Sequence, residues 1–263
     1  MSGVMEFDAE AASRVEAAYL TPDIVAQRDR VRAMLALQRG ERVLDVGVGP
    51  GFLAAEMADE VGPDGRVSGI DLSEAMLEMA ARRDPGEHAA GLELRLGGVE
   101  RIPYADGSFD AVVTTQVLEY VADIAGALAE IHRVLRPGGR VLVLDTDWDS
   151  LVWHAPDDEL MTRVLTAWDE HLADPHLPRR LGRSLREAGF EAGPPMVLPL
   201  LNAGDPSDSF SGSLLGLVAV FVVDRNGLTR DEVEAWAESM RALGEDWFFS
   251  LNRYVFLARR PRA

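Results

Sequence analysis

A short apolar run breaks into three alternate glycines between Val43 and Phe52, VLDVGVGPGF. A glycine turn between a strand and a helix serves several chemistries, and spacing separates them. A phosphate-binding P-loop ends in Gly-Lys-Ser or Gly-Lys-Thr, and this chain contains no lysine, so that reading is removed. A nicotinamide or flavin fingerprint runs G-x-G-x-x-G, its third glycine letting the helix pack closely on the strand. Gly47 and Gly49 fit, but the third position falls on Phe52. What stands instead is Asp45 followed by Gly47, Gly49 and Gly51. That pattern suits close approach of backbone to a ligand, or a turn that simply needs positive φ.

Two further groups of residues have the types for chemistry. Asp71 follows the turn by roughly 20 residues, the spacing at which a carboxylate accepts bonds from both hydroxyls of a ribose. Asp145 to His154, DTDWDSLVWH, gathers acids, two tryptophans and a histidine. At the carboxyl edge of a sheet these types suit an acceptor pocket; a solvated acidic loop with its tryptophans under a lid is the competing reading. Asp145 and Asp147 offer oxygen ligands for a divalent cation, but no third ligand has matching spacing, so no metal site is expected. His132, inside EIHRVLRPGG, reads as structural.

The elements that must position these residues alternate. A helix over Ile24–Leu37 precedes a strand at Arg42–Val46, and a helix over Gly51–Glu60 precedes a strand at Arg66–Asp71. Ser73 caps the next helix, Glu74–Arg83, because its hydroxyl accepts an orphan N–H there. Strands follow at Leu92–Leu96, Asp110–Thr114 and Arg140–Leu144, the last two separated by a helix over Ile124–Leu135. Such alternation implies parallel pairing and a doubly wound sheet. The second half is less regular. Helices are expected at Pro156–Leu172 and Arg179–Ala188, and over Leu214–Arg241 in two pieces split around Asn226-Gly227. Strands are expected at Pro195–Leu201 and Phe248–Ala258.

Composition trims the function classes. The chain has 263 residues, 47% of them hydrophobic, enough for one sizeable core. Its formal charge is −18, and a strongly acidic surface repels phosphate backbones, so no nucleic-acid partner is expected. The absence of cysteine excludes disulfides, thiolate metal sites, cysteine nucleophiles and cysteine-based arsenic methylation. The N-terminal MSGVMEFDAEAASRVE is acidic without an apolar centre, so no signal peptide is expected. Leu214 to Val223 is too short to span a bilayer. The expectation is a cytoplasmic protein without a membrane partner.

Taken in order, four pieces resemble the class I S-adenosylmethionine-dependent methyltransferases, and among them the type 11, ubiquinone-biosynthesis-like small-molecule members. They are the turn D-x-G-x-G-x-G, Ile70-Asp71-Leu72-Ser73, GGVERIP (Gly97 to Pro103) running into YADGSFDAVV, and RVLRPGGRVLVL (Arg133 to Leu144). The resemblance spans Ala26 to Leu144. It implies an α/β, Rossmann-like, doubly wound, mostly parallel seven-stranded sheet with an antiparallel last strand and helical lid insertions. It also implies S-adenosylmethionine as cofactor, a small-molecule acceptor, and a single domain. Residues 1–40 would form a helical cover, 41–146 the cofactor core, and 147–263 the acceptor-binding and lid half.

By the same resemblance, Asp45, Gly47, Gly49 and Gly51 support the methionine part of the cofactor and Asp71 its ribose. Leu72 and Met76 pack on the adenine, with backbone groups at Gly98 and Val99. The backbone of Thr115 and the side chain of Gln116 face the methionine end or the acceptor. Tyr19 and Arg28 would fold over the cofactor toward its carboxylate, a surface helix being the alternative. The family commonly has an aspartate at Gly98 for the adenine amino group, and here that side chain is missing. If the acceptor arrives protonated, His154 is the first candidate base, followed by Asp147 and Glu119. Glu119 and Tyr120 stand between site wall and helix surface. The apolar second half suits a lid and an aromatic or lipid-like acceptor, and the acidic loop a cationic amine. A homodimer contact would look the same as a lid. Two other classes stay open: a binder or cyclase of this fold that transfers no methyl, and a nicotinamide-dependent oxidoreductase.

Overall fold

The computed structural model describes residues 16–83, 86 and 89–262. The N-terminal stretch read above for a signal peptide lies outside them except for Glu16. Strands β1 (Arg42–Val46), β2 (Arg66–Asp71), β3 (Gly91–Leu96), β4 (Phe109–Thr115) and β5 (Leu135–Thr146) pair in parallel in the order β3-β2-β1-β4-β5. The final strand β9 (Phe248–Arg259) runs antiparallel beside β5, and β8 (Met196–Ala203) runs antiparallel on its far side. Two two-residue strands complete a nine-stranded sheet: β6 (Val152–Trp153) and β7 (Glu191–Ala192), both paired to β9. Ser250 pairs with Val152 on one side and Leu201 on the other, so β6 prolongs the line of β5. Ala258 likewise lies between Val141 and Ala192, so β7 prolongs the line of β8. The sheet therefore has seven strand positions, as the resemblance implies.

Helices α1 (Pro22–Leu35), α2 (Phe52–Val61), α3 (Glu74–Ala80) and α4 (Ile124–Val134) connect or cover the parallel strands. Their starts are chemically marked. The Ser73 hydroxyl accepts the Met76 N–H at 3.3 Å, and the Asp123 carboxylate accepts that of Gly126 at 2.9 Å. Because side chains alternate across a strand, the sheet fills two separate cores. Leu44, Val46, Val112 and Val143 face α4, whereas Val43, Ala111, Val113 and Leu142 face α1 and α2. Arg140, at the start of the regular part of β5, ties α1 to this sheet. Its buried guanidinium donates to the Leu35 and Ala36 carbonyls and, at 2.8 and 2.7 Å, to both oxygens of Glu41. Between Leu135 and Arg140 the RPGG turn bulges out while its flanks stay paired to β4, so the strand begins earlier than the sequence suggests.

The second half adds α5 (Asp158–Asp169), α6 (Pro178–Glu187), α7 (Phe210–Phe221) and α8 (Arg230–Arg241). The break between α7 and α8 falls where expected. Asp224, Asn226 and Gly227 take positive φ, and Thr229 opens α8 with a capping box to Glu232. Helices α5, α7 and α8 bury a third core that contains Trp148, Trp153, Trp168, Trp236 and Trp247, which are all of the tryptophans in the chain. Among the described residues no helix is long and apolar enough to cross a membrane.

Candidate functional site

The glycine turn leaves β1 and enters α2 with Gly47, Gly49 and Gly51 at φ values of 72°, 52° and 82°. Two of these glycines are also fixed by space. A Cβ on Gly47 would lie 2.2 Å from Val117 Cγ2, and one on Gly51 would lie 2.7 Å from Ala80. At Gly49 a Cβ would meet only the Tyr19 hydroxyl, at 3.8 Å. The turn also uses up its own amides. The N–H groups of Gly47 and Val48 donate to the Ile70 carbonyl, that of Gly51 to Val48, and that of Gly49 to Asp71 Oδ2 at 2.9 Å. Pro50 has none. An anion cradle needs free backbone N–H groups, and within residues 47–51 none is free.

Asp71 closes the floor. Its second oxygen accepts the Ser73 N–H at 2.9 Å, and a carboxylate retains further acceptor capacity on each oxygen. Burial pushes its carboxyl up, against the pull of the backbone N–H donors. Asp45 lies beside it at the end of β1 and is 2% exposed, with Oδ1 buried and without a partner. Burial first and the Asp71 charge second raise its carboxyl well above the ordinary range. A buried acid without a partner is costly, and a ligand cation or N–H donor would relieve it.

The adenine side is more open than expected. Leu72 is 74% exposed at the tip of β2, while Met76 and Val99 are buried. Another carboxylate lies beside Gly98. A Cβ built there would lie 2.6 Å from Glu100 Oε2, about the separation between an aspartate's own Cβ and its carboxylate oxygens, and 3.1 Å from Leu72 Cδ2. Glu100 sits on the short 3-10 turn Val99–Arg101.

Over the turn lies the N-terminal segment. Tyr19 stacks on Phe52 at 6.2 Å between ring centroids. Its phenol is raised by burial and feels the charges of Arg253, Asp45, Asp71 and Arg28. Arg28 is buried and engaged, donating to Glu56 and to the Tyr19 carbonyl. These contacts brace the N-terminal segment onto α2.

The ends of β4 and β5 form a buried acidic wall. Gln116 takes a positive φ of 57°, uncommon for a residue with a side chain. Its Oε1 accepts the Thr146 hydroxyl at 2.7 Å, and its Nε2 is buried without a partner. Thr115 ends β4 just before it and pairs with Leu144. Asp145 Oδ1 accepts the Val117 N–H at 3.1 Å, so this acid anchors the turn that carries Glu119. Glu119 is 1% exposed; its Oε2 accepts the Thr146 N–H and the Trp148 indole N–H, and its Oε1 accepts nothing among the described residues. Burial raises its carboxyl to about 7, with Arg253 pulling it down. Asp145 is pushed up as well, by burial and by the Glu119 charge.

The other candidate bases lie apart from this wall. His154 is exposed at the end of β6, where its backbone N–H bonds the Phe248 carbonyl. Asp147 is occupied by Arg179, at 2.8 and 3.0 Å. Asp147, Asp149 and His176 come together as three groups of metal-ligand type, a different set from the Asp145 and Asp147 pair weighed from the sequence. Arg179 bridges both carboxylates, and its fixed positive charge opposes a cation there. Trp148 and Trp153 are buried in the third core.

Sequence reasoning missed Arg253. It faces inward from β9 opposite Thr146, is 4% exposed, and donates to Gln27 at 2.6 Å. Its signal was legible, since Phe249, Leu251, Arg253 and Val255 follow the period of two that marks a buried strand face. A separate cavity of about 550 Å³ lies beside the amino ends of β1, β2 and β4, lined by Arg42, Arg66, Glu93, Arg95 and Tyr104. Sheets of this kind bind ligands at the opposite, carboxyl ends, where the groups above converge.

Residues 44–143 match the family described as "Methyltransferase domain". A 37.1 kDa protein of transposon Tn4556 from Streptomyces fradiae is 40% identical over 203 residues, covering 73% of this chain and 56% of that protein. A demethylmenaquinone methyltransferase from Symbiobacterium thermophilum is 42% identical over 107 residues, 40% of this chain and 43% of the relative. The chain therefore spans about half the length of the curated relatives it matches. Among solved structures, phosphoethanolamine N-methyltransferase 2 of Haemonchus contortus aligns over 97% of this chain and 58% of its own. The TM-score is 0.62 at 20% identity, a likeness of fold.

Proposed function

Because the chain belongs to the class I S-adenosylmethionine-dependent methyltransferases, we propose that it transfers the methyl group of S-adenosylmethionine to a small-molecule acceptor. The observation that carries this reading is the pairing of a self-satisfied glycine turn with two acids, Asp45 and Asp71, that face it. The amides of the turn itself are engaged, while the acids suit a ligand with a ribose and the ammonium of an amino-acid end. When bound, the cofactor supplies a methyl group on a positively charged sulfur.

The chain's own residues do the rest. Asp71 orients the ribose, and Met76 and Val99 pack the base. Glu100 takes the place of the missing acid at Gly98 and accepts from the adenine amino group. Asp45 receives the ammonium end beside Gly49. Gln116 offers its unpaired Nε2 at the edge between donor and acceptor. The lid core of α5, α7 and α8 excludes water, and holding donor and acceptor collinear is the main source of acceleration. Where the acceptor carries a proton, Glu119 Oε1 is the atom that takes it. Its raised carboxyl is half ionised near neutral pH, the poise suited to a base, whereas His154 is exposed and Asp147 is held by Arg179. An aromatic or lipid-like acceptor fits the tryptophan-rich lid.

The test is transfer of label from methyl-labelled S-adenosylmethionine to a panel of aromatic, amine and lipid-like acceptors. Label in a product supports the reading. Tight S-adenosylhomocysteine binding with no labelled product across the panel would favour a binder or cyclase of the same fold.

A further inference from the structure

Arg253 holds its charge in an unusual way. It is 4% exposed, and among the described residues no carboxylate oxygen lies within 4.0 Å of its guanidinium. Nη1 donates to Gln27 Oε1 at 2.6 Å, and the Phe210 ring lies 4.6 Å from the guanidinium carbon. Nε is buried without an acceptor, and Nη2 donates to no described residue. These two atoms form one edge of the guanidinium, with their N–H bonds parallel. That edge is the fork which binds a carboxylate or phosphate through two bonds at once.

The surroundings place the fork in the site. Thr146, opposite Arg253 across the β5–β9 pair, is bonded to Gln116. Glu119, Tyr19, Asp23 and Tyr120 surround the guanidinium electrostatically without touching it. Asp23 is already engaged, its oxygens accepting from Ile24, Asn202 and Phe210. Glu119 is engaged through Oε2. A buried cation balanced only at a distance is an expensive feature in a fold that otherwise pairs its buried arginines, as Arg28 and Arg140 demonstrate. A partner that arrives with a ligand accounts for it.

We infer that the free edge of Arg253 is the binding site for an oxyanion, a carboxylate or phosphate carried by a ligand of this cleft. The inference rests on the proposed cofactor reading for the location of the ligand. Two ligands can bring that chemistry: the amino-acid end of the cofactor, or an acceptor that is itself an acid. The second case makes the substrate class an anionic small molecule, such as an aromatic acid.

The experiment is calorimetry on the full chain and its Arg253→Gln variant, whose fold is checked by circular dichroism. The probes are S-adenosylhomocysteine, 5′-methylthioadenosine (the same sulfur nucleoside without the amino acid), and benzoate or inorganic phosphate added to the nucleoside complex. If the cofactor brings the oxyanion, S-adenosylhomocysteine weakens by roughly 10- to 100-fold in the variant while methylthioadenosine is unchanged. If the acceptor brings it, S-adenosylhomocysteine is unchanged and the benzoate or phosphate binding of the wild type is lost. Equal affinities for every probe in the two proteins overturn the inference and leave Arg253 a packing residue. Should Arg253→Gln not fold, Arg253→Lys keeps the charge without the fork and is read in the same way. A wild type that binds neither nucleoside overturns the cofactor reading, and benzoate and phosphate added to the free chain then decide on Arg253 alone.

Discussion

Replacing Glu119 with glutamine should flatten the pH dependence of stability. The carboxyl is buried, accepts two N–H bonds through Oε2, and rises from an ordinary 4.5 to about 7 in the folded chain. Its folded pKa is raised, so the folded state binds more protons than the unfolded state between these values. Stability is then full below pH 4.5 and is lost as pH rises through about 7. At about 1.4 kcal/mol per pKa unit, the loss is about 3 kcal/mol. For a chain of this size that is a fall in melting temperature of roughly 6–12 °C. Glutamine keeps an acceptor oxygen for Thr146 and Trp148 and removes the ionisation. It also relieves Asp145, whose rise owes part to the Glu119 charge, so the two effects share one sign. The assay is thermal unfolding of both proteins at pH 5 and pH 8. Wild type should lose more stability across that interval than Glu119→Gln, by most of that amount. The same slope in both would refute the assignment of a neutral-range proton to Glu119.

The glycine turn separates stability from binding. Gly47→Ala forces a Cβ against Val117 at positive φ and should cost about 2 kcal/mol or more in a denaturant melt. Gly49→Ala meets only the Tyr19 hydroxyl, at an ordinary 3.8 Å, so it should fold with a penalty of about 1 kcal/mol yet bind S-adenosylhomocysteine more weakly. Equal binding by Gly49→Ala would remove that face from the site. Glu100→Gln should weaken S-adenosylhomocysteine by about 1.5 kcal/mol, the scale of one charged hydrogen bond, and have less effect on the inosine analogue, which lacks the amino group. Equal losses for both analogues would detach Glu100 from the base. Arg140→Met strands Glu41 and the end of α1 and should cost about 3 kcal/mol, measured by urea unfolding; a loss below 1 kcal/mol would deny its role in fixing the cover.

The parallel half of this fold was legible because each strand is bounded by residues with a single local meaning. Arg42–Val46 and Arg66–Asp71 end at glycines or at a helix cap, and their runs are apolar on both faces, as buried parallel strands require. The short strands Val152–Trp153 and Glu191–Ala192 were not legible. A two-residue strand has no period, and it exists only because β9 offers an edge at that height. The same division holds at the site. The turn, Asp45 and Asp71 are contiguous with their elements, so sequence order locates them. Glu119 gains its meaning from Thr146 and Trp148 on another element, and Arg28 pairs with Glu56 on the next helix. Glu100 could be found only by asking what fills the space at Gly98. Contacts between distant segments carried what the sequence withheld.

The central claim is that the glycine turn and its two acids hold S-adenosylmethionine. A crystal structure of the chain soaked with S-adenosylhomocysteine tests it most directly. The account predicts the ribose on Asp71, the adenine between Met76 and Glu100, and the amino-acid end beside Asp45 and Gly49. A nucleoside bound elsewhere, or a dinucleotide lodged in this turn in its place, would contradict it.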